Sequence, residues 1–137
     1  MSGEERCTVL RIPSLTHPHP SLFRFTESIV KEADGVIISR GNLGIDIPVE
    51  KFPILMKALV HTCNSFGKPV LTTRVFDSMM VNPRPTRAEA TDISNMIIDG
   101  VDGIVLGAET LRGMFPVIAV KTVLSCANEA TKCFDNR

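Results

Sequence analysis

Three short apolar runs recur at a constant spacing along the chain. They begin 34 residues apart and are Val36-Ile37-Ile38, Val70-Leu71-Thr72 and Ile104-Val105-Leu106. Each is followed at once by a polar cluster, namely Ser39-Arg40-Gly41-Asn42, Thr73-Arg74 and Gly107-Ala108-Glu109-Thr110. Short apolar runs rich in β-branched residues are typical of buried strands. Polar groups at the carboxyl ends of parallel strands form the functional rim of many α/β proteins.

Stretches of helical spacing precede and separate the first two runs. The first has its apolar positions at Phe25, Ile29 and Val30, before the turn Asp34-Gly35. The second is predicted to begin at Pro48, because proline is well suited to the first helical turn, and to run to about Phe66 with Gly67 as its stop. Its apolar stripe is Phe52, Leu55, Met56, Leu59, Cys63 and Phe66.

Two further helices are predicted in the second half. Thr86 followed three positions later by Glu89 is a capping box, so a helix should begin there and end at Asp99-Gly100. Its apolar face is Ala90, Ile93 and Ile97. Phe115-Pro116 begins the last helix, whose core-facing residues are predicted to be Val120, Val123, Leu124 and Ala127.

The alternation of helices and strands predicts an α/β fold whose strands are parallel and joined by right-handed crossovers. A period of 34 residues also occurs in tetratricopeptide arrays, but those repeats contain no strands. Three to four βα units of a larger sheet or barrel is therefore the favoured architecture.

Composition narrows the function classes. The chain has 137 residues, of which 44% are hydrophobic, and 15 basic residues balance 15 acidic ones. This size and composition fit one globular domain, and the neutral charge favours neither nucleic acid nor membrane as a partner. Apolar stretches are too short to span a bilayer, so a cytoplasmic protein is expected. No CxxC pair occurs, and Cys126 and Cys133 are expected to be inert, buried thiols.

Residues 1–30 differ from the rest of the chain. Ile12-Pro13 and His17-Pro18-His19-Pro20 rule out a regular helix and argue against a central strand. A loop or extended arm is expected here. The two histidines are interpreted as solvated loop residues, because no third metal ligand accompanies them.

Several unusual strings resemble the pyruvate kinase family. They are Ser39-Arg40-Gly41-Asn42-Leu43-Gly44-Ile45-Asp46-Ile47-Pro48, Asn82-Pro83-Arg84-Pro85-Thr86-Arg87-Ala88-Glu89-Ala90-Thr91-Asp92 and Leu106-Gly107-Ala108-Glu109-Thr110. The resemblance covers about residues 25–130 and is strongest with the plant cytosolic branch. It implies a partial TIM (β/α)8 barrel with three to four βα units. The chain would be one partial barrel domain over 1–137, with a divergent segment at 1–30 and matching βα units at 31–137.

The resemblance also implies an activity, which is phosphoryl transfer from phosphoenolpyruvate to ADP to give pyruvate and ATP in glycolysis, with Mg²⁺ and K⁺ as cofactors. Gly41 would present its backbone to the substrate, Asn42 would face the Mg²⁺, and Thr73 would act catalytically beside the enolate carbon. Each residue has an ordinary structural alternative: Gly41 could permit a turn, Asn42 could cap the next residues, and Thr73 could be a strand-end residue.

The chain departs from the family pattern at two site positions, which resemble the plant cytosolic branch and need not mean lost activity, and at two positions of the preceding strand. The family usually has an aspartate where this chain has Asn42 and a glutamine where it has Arg74. A lysine and a glutamate of the preceding strand would fall near Thr8 and Leu10, and neither of these can neutralise phosphate or hold Mg²⁺. A closed barrel takes about 250 residues, and the residues of the K⁺ site are not in this chain. The isolated chain is therefore expected to be weakly active or inactive.

Two other functions stay open. The chain could be a non-catalytic truncated paralogue that acts as an interaction module with full-length subunits, since the family forms homotetramers. It could also be a small flavodoxin-like binding domain. Structural pairing roles are favoured for Arg84, Arg87 and Glu109.

Overall fold

The computed structural model describes residues 8–10 and 21–135 of the chain. These residues divide into two compact units, Met1–Thr72 and Thr73–Arg137. The proline-rich stretch at 12–20, which was predicted to be a loop or arm, lies outside the described residues.

The first unit is built on a parallel sheet. Strands β1 (Thr8–Leu10), β2 (Val36–Ile38) and β3 (Val70–Thr73) lie side by side in that order. In the register of the sheet, Ile37 of β2 pairs with Val9 on one side and with Leu71 on the other. The predicted parallel α/β arrangement is thereby confirmed.

Helices α1 (Ser21–Glu32) and α3 (Phe52–Ser65) pack against each other in this unit. Alternate strand residues are fully buried, and they are Val36, Ile38, Val70 and Thr72. The residues between them, Ile37 and Leu71, are only half buried. One face of the sheet therefore belongs to the core together with Val30, Leu59 and Cys63, and the other face is more open.

The start of α3 differs from the sequence prediction. The helix begins at Phe52, and residues 48–51 form a turn in which the amides of Lys51 and Phe52 donate to the Pro48 carbonyl. Pro53 takes the place in the first helical turn that was assigned to Pro48. The predicted stop is confirmed, because Gly67 has a φ of 64°, which favours glycine.

A short helix that was not predicted follows β2. α2 (Arg40–Asp46) occupies positions that were interpreted as a polar cluster after a strand. Leu43 is its buried residue, and the Leu43 amide donates to the Ser39 carbonyl at 3.1 Å. The residues 39–46 are called the β2 rim below.

The second unit contains β4 (Gly103–Val105), a 3₁₀ helix (Asp77–Met80) and three α-helices. The helices are α4 (Arg87–Asp99), α5 (Ala108–Leu111) and α6 (Pro116–Asp135). α6 packs against α4 and α5, and α5 also packs against the 3₁₀ helix. The cluster predicted after the third strand is therefore the start of a helix, α5.

The predicted boundaries of α4 are confirmed. Thr86 and Glu89 form the capping box, and Gly100 ends the helix with a φ of 94°. These two signals are local, so they can be identified without knowledge of tertiary contacts.

The buried face of α6 is only partly the one predicted, since Val123 is buried as expected and Val120 and Leu124 are not. Ala119, Val123 and Ala130 are buried, whereas Val120 is 40% and Leu124 is 57% exposed. The small residues face the core because α6 packs closely on two neighbouring helices.

The prediction that Cys126 and Cys133 are buried was wrong. Cys126 is half exposed and Cys133 is exposed on α6.

Candidate functional site

Two of the predicted site residues lie in the β2 rim. Gly41 and Asn42 are in the first turn of α2, whose N-cap residue is Ser39. The Ser39 side chain makes no capping hydrogen bond. Gly41 is half buried, and the side chain of Asn42 lies outside the described part of the chain. Their contact with substrate and Mg²⁺ stays a prediction.

Thr73, the predicted catalytic residue, is the last residue of β3. Alternation along the strand puts it on the more open face with Leu71, and it is half buried. Its neighbour Thr72 is completely buried on the opposite face, and the Thr72 hydroxyl has no hydrogen-bond partner among the described residues. The two threonines therefore differ in the face and in the solvent contact of their hydroxyls.

The gathering of the three polar clusters on one rim stays a prediction. Gly41 and Asn42 belong to the first compact unit, and Thr73 and Glu109 belong to the second. The cluster at 39–42 follows directly on β2, Thr73 is the last residue of β3, and Leu106 lies between β4 and the cluster at 107–110.

The residues 73–76, which are called the β3 corner below, connect the end of β3 to the 3₁₀ helix. Arg74 has a φ of 57°, a left-handed conformation that costs a non-glycine residue about 1–2 kcal/mol. Its guanidinium lies 3.6 Å from the Asp77 carboxylate, and both side chains are more than half exposed. Val75 and Phe76 then enter the core of the second unit.

Glu109 is a buried carboxylate at the start of α5, with 1% of its surface exposed. The Phe76 amide donates to Oε1 at 3.3 Å, and the Gly107 amide donates to Oε2 at 2.9 Å. Both acceptor oxygens therefore have backbone donors, as burial of a charged group requires. The structural role predicted for Glu109 is supported, with backbone amides as its partners.

The backbone that follows Glu109 is also tightly placed. A Cβ added at Gly113 would lie 2.2 Å from the Glu109 carbonyl oxygen, so glycine is required for this approach. The next amide, that of Met114, donates to the Met80 carbonyl at 2.9 Å. The segment after β4 is thus joined to the segment after β3 at two places.

Glu89 has a second role besides its capping box. Its carboxylate accepts hydrogen bonds from the Ser78 amide at 2.9 Å and from the Ser78 hydroxyl, as well as from the amide of Thr86 at 2.8 Å. Partial burial raises the pKa of the Glu89 carboxyl, but these hydrogen bonds favour the charged form and outweigh burial. The pKa of Glu89 therefore lies below its usual value, and the carboxylate joins the 3₁₀ helix to α4.

Arg84 and Arg87 are both exposed, and a pairing role for them stays a prediction. Within residues 8–10 and 21–135, no group of three or more His, Cys, Asp and Glu side chains could hold a metal ion. The described helices also include none with the length and apolar character needed to cross a membrane.

Sequence reasoning missed four features here. They are the left-handed backbone of Arg74, the amide contacts of Glu109, the close approach at Gly113 and the bond between Glu89 and Ser78. The Glu109 bond to the Phe76 amide and the Glu89 bond to Ser78 join residues of separate segments, and arginine is not a residue whose presence signals a positive φ. Only Glu89 carried a local signal, the capping box.

Comparison with known proteins identifies the family. The family model described as pyruvate kinase, barrel domain, matches residues 8–120. The chain therefore belongs to the pyruvate kinase barrel-domain family, and its three parallel strands fit part of that barrel. This result favours the partial barrel over the flavodoxin-like alternative.

Particular relatives agree with this assignment. The chain is 55% identical over 109 residues to cytosolic pyruvate kinase 2 of Oryza sativa subsp. indica, covering 80% of this chain and 21% of the rice protein. It is 46% identical over 112 residues to a pyruvate kinase of Geobacillus stearothermophilus, covering 81% of this chain and 19% of the bacterial protein. A crystal structure of a pyruvate kinase from Cryptosporidium parvum superposes with a TM-score of 0.79 at 40% identity, covering 81% of this chain and 23% of that one.

The similarity to a plant cytosolic enzyme confirms the branch recognised from the motifs. The chain spans about one fifth of the length of the curated relatives it matches.

Proposed function

We propose that this chain is part of the catalytic barrel of a cytoplasmic pyruvate kinase, which transfers a phosphoryl group from phosphoenolpyruvate to ADP. The observation that carries this proposal is the match of residues 8–120 to the barrel domain, with Thr73 at the carboxyl end of β3. Functional residues of such barrels lie at the carboxyl ends of the strands.

In this proposal Thr73 serves the second half of the reaction. Loss of the phosphoryl group leaves an enolate, and pyruvate forms when the enolate carbon receives a proton. A threonine hydroxyl is too weak an acid to lose its proton outright, so Thr73 would pass a proton from an adjacent water. Its position on the more open face of β3 supports this role, because solvent and substrate can approach it there.

Gly41 and Asn42 would serve substrate binding in the β2 rim. A helix N-terminus presents free amides and favours negative charge, which suits the approach of an anionic substrate to the Gly41 backbone. Asn42 would offer a neutral carbonyl oxygen to Mg²⁺, a weaker ligand than a carboxylate. Mg²⁺ and K⁺ would neutralise charge on the phosphoryl group, but the described side chains include no acidic cluster for either ion.

We expect the chain alone to be weakly active or inactive. β1 runs from Thr8 to Leu10, and the resemblance would place the family's lysine and glutamate near these two residues. Loss of even one group that stabilises transition-state charge costs about 10²–10³ in kcat. A coupled assay with Mg²⁺ and K⁺ should therefore give turnover at least about a hundredfold below that of a full-length pyruvate kinase. Turnover like that of the full-length enzyme would contradict this expectation.

A chimera tests the role of Thr73 separately. Residues 31–120 of this chain would replace the matching segment of the rice relative, which keeps its own lysine and glutamate strand. We expect the chimera to be active and Thr73→Val to lower its kcat at least about tenfold, as loss of a proton-transfer group does. Thr72→Val is the matched control and should leave kcat unchanged. Equal kcat values for the two variants would remove Thr73 from the catalytic role.

A second candidate function is a non-catalytic module that binds full-length subunits in a homo-oligomer. The exposed apolar residues of α6, which are Val117, Val120 and Leu124, support it, since apolar side chains on one helix favour association. Co-purification of the tagged chain with a full-length pyruvate kinase, lost in Val120→Asp and Leu124→Asp, is the expected result. A monomeric chain with no partner would count against this function.

A further inference from the structure

We infer that Glu109 is a positioning residue for Thr73, because its buried carboxylate holds the β3 corner in a conformation that Arg74 would not adopt unaided. The inference depends on the proposed function only for the role given to Thr73. The contacts that carry it all lie within the second compact unit.

The β3 corner stores backbone strain. A left-handed φ at a non-glycine residue persists only where the surrounding structure imposes it. The ion pair from Arg74 to Asp77 does not impose it, since both side chains are largely exposed and such pairs contribute little. Contacts on the far side of Arg74 must therefore hold the corner.

Those contacts begin at Phe76. Its side chain is completely buried, and its amide donates to Oε1 of Glu109. This hydrogen bond spans 3.3 Å, and burial excludes the water that would compete for it. Phe76 is thus fixed in both its side chain and its backbone, two residues after the strained position.

Glu109 is itself fixed, so it can act as an anchor. The Gly107 amide donates to its second carboxylate oxygen, and Gly113 lies so close to the Glu109 backbone that a Cβ there would meet the Glu109 carbonyl oxygen. The Met114 to Met80 hydrogen bond holds the same segment at its far end. The carboxylate therefore presents a fixed acceptor to the β3 corner.

Two residues, Arg74 and Val75, separate Thr73 from Phe76, the residue that binds this anchor. If Arg74 relaxed to a negative φ, the direction of the chain between Thr73 and Phe76 would change. Because Phe76 is buried, the change would fall on the Thr73 side, where β3 ends. Loss of the Glu109 carboxylate should therefore displace the Thr73 side chain.

A double-mutant cycle tests this coupling without any measurement of turnover. Glu109→Gln keeps the side-chain size but turns an NH₂ group toward one of the two backbone amides. Arg74→Gly makes the positive φ acceptable. We expect Glu109→Gln to raise the unfolding equilibrium constant about tenfold or more in the native background. In the Arg74→Gly background the same change should raise it only about threefold, since the corner no longer needs the anchor.

Glu89→Gln is the matched control for this cycle. Glu89 also accepts backbone amide hydrogen bonds in the second unit, but it binds Ser78 and Thr86 and does not bind the β3 corner. Its effect on the unfolding constant should be the same in both Arg74 backgrounds. If Glu109→Gln raises the unfolding equilibrium constant by the same factor with Arg74 as with Gly at position 74, the inference is overturned.

The Thr73 methyl resonance supplies a positional readout that a merely stabilising role would not move. We expect it to shift in Glu109→Gln and to return toward its native position in the double variant with Arg74→Gly. If Glu109→Gln does not fold, recovery of folding in the double variant supports the inference, and failure to recover contradicts it. An unmoved Thr73 methyl in a folded Glu109→Gln variant also contradicts it. These outcomes concern the anchor alone, so they are distinct from failure of the chimera assay.

Discussion

The β2 rim and the β3 corner both follow a strand of the same fold, yet they are held in different ways. In the β2 rim, the short helix α2 has Leu43 as its buried residue and no side-chain cap from Ser39. The β3 corner has two consecutive buried residues, and a buried carboxylate binds one of their amides.

This difference separates the two parts of the proposed site. The residues assigned to substrate and Mg²⁺ lie in the β2 rim, where Leu43 is buried and Ser39 makes no side-chain cap. Thr73, assigned to proton transfer, is the first residue of the β3 corner, in which Val75 and Phe76 are buried. Ligand contacts can form as substrate binds, whereas a group that relays a proton must already be within hydrogen-bond reach. The comparison therefore predicts unequal effects of matched substitutions in the two regions.

Removal of one large buried side chain should give the largest contrast. We expect Phe76→Ala to lower the free energy of unfolding by about 3–5 kcal/mol, as loss of a fully buried Phe does. Leu43→Ala should cost about 2 kcal/mol, the low end for Leu, because a short helix can collapse onto the gap. Urea unfolding of both variants measures this. Equal losses would mean that the β2 rim is as firmly packed as the β3 corner.

Gly113→Ala should have the next largest effect. Its added Cβ would meet the Glu109 backbone, and overpacking of this kind costs about 1–3 kcal/mol. Gly35→Ala is the control in the first unit, where the nearest atom is the Pro69 Cγ at 3.1 Å and a smaller loss is expected. Thermal unfolding of Gly113→Ala and Gly35→Ala measures the two losses of stability. A larger loss of stability for Gly35→Ala than for Gly113→Ala would show that the Glu109 backbone can move away from the added Cβ.

The paired threonines at the end of β3 should respond in opposite ways. Thr72→Val removes a buried hydroxyl with no partner among the described residues, and we expect it to stabilise the chain by about 1 kcal/mol. Thr73→Val changes a half-buried hydroxyl on the more open face and should alter stability by less than about 0.5 kcal/mol. Urea unfolding measures both. Destabilisation by Thr72→Val would indicate that its hydroxyl has a partner.

The pH dependence of Glu89 is the smallest expected effect. Because its pKa is lowered in the folded state, its contribution to stability is complete above about pH 4.5, the ordinary value of a Glu carboxyl. That contribution is lost as the pH falls through the lower, folded-state pKa. Unfolding midpoints between pH 6 and pH 3 should therefore fall less steeply in Glu89→Gln than in the native chain. Parallel curves would show that Glu89 makes no such contribution.

Most of the fold could be predicted because its signals are local. Apolar runs located the strands, the capping box located α4, and glycine located the ends of α3 and α4. Helix α2 escaped prediction because Gly41 and Gly44 are poor helix formers within a seven-residue segment. The face of α6 was predicted only in part because tight packing of Ala119 and Ala130 outweighed the greater hydrophobicity of Val120 and Leu124.

Less of the site could be predicted. Motifs located Gly41, Asn42 and Thr73, but no local pattern relates Glu109 to the Phe76 amide, which lies 33 residues away in sequence. The conformation of Arg74 is likewise a consequence of tertiary contacts. Residue types therefore identified the candidate chemistry, and the structure revealed how its surroundings are anchored.

Amide hydrogen exchange of the native chain and of Glu109→Gln tests the central claim most directly. We expect the Phe76 and Gly107 amides to exchange at least about tenfold more slowly than the amides of α2, because both donate to the buried Glu109 carboxylate. We also expect Glu109→Gln to remove this protection at Phe76 and Gly107 while the α2 amides keep their rates. Equal protection of α2, or unchanged rates at Phe76 and Gly107 in the variant, would contradict the central claim.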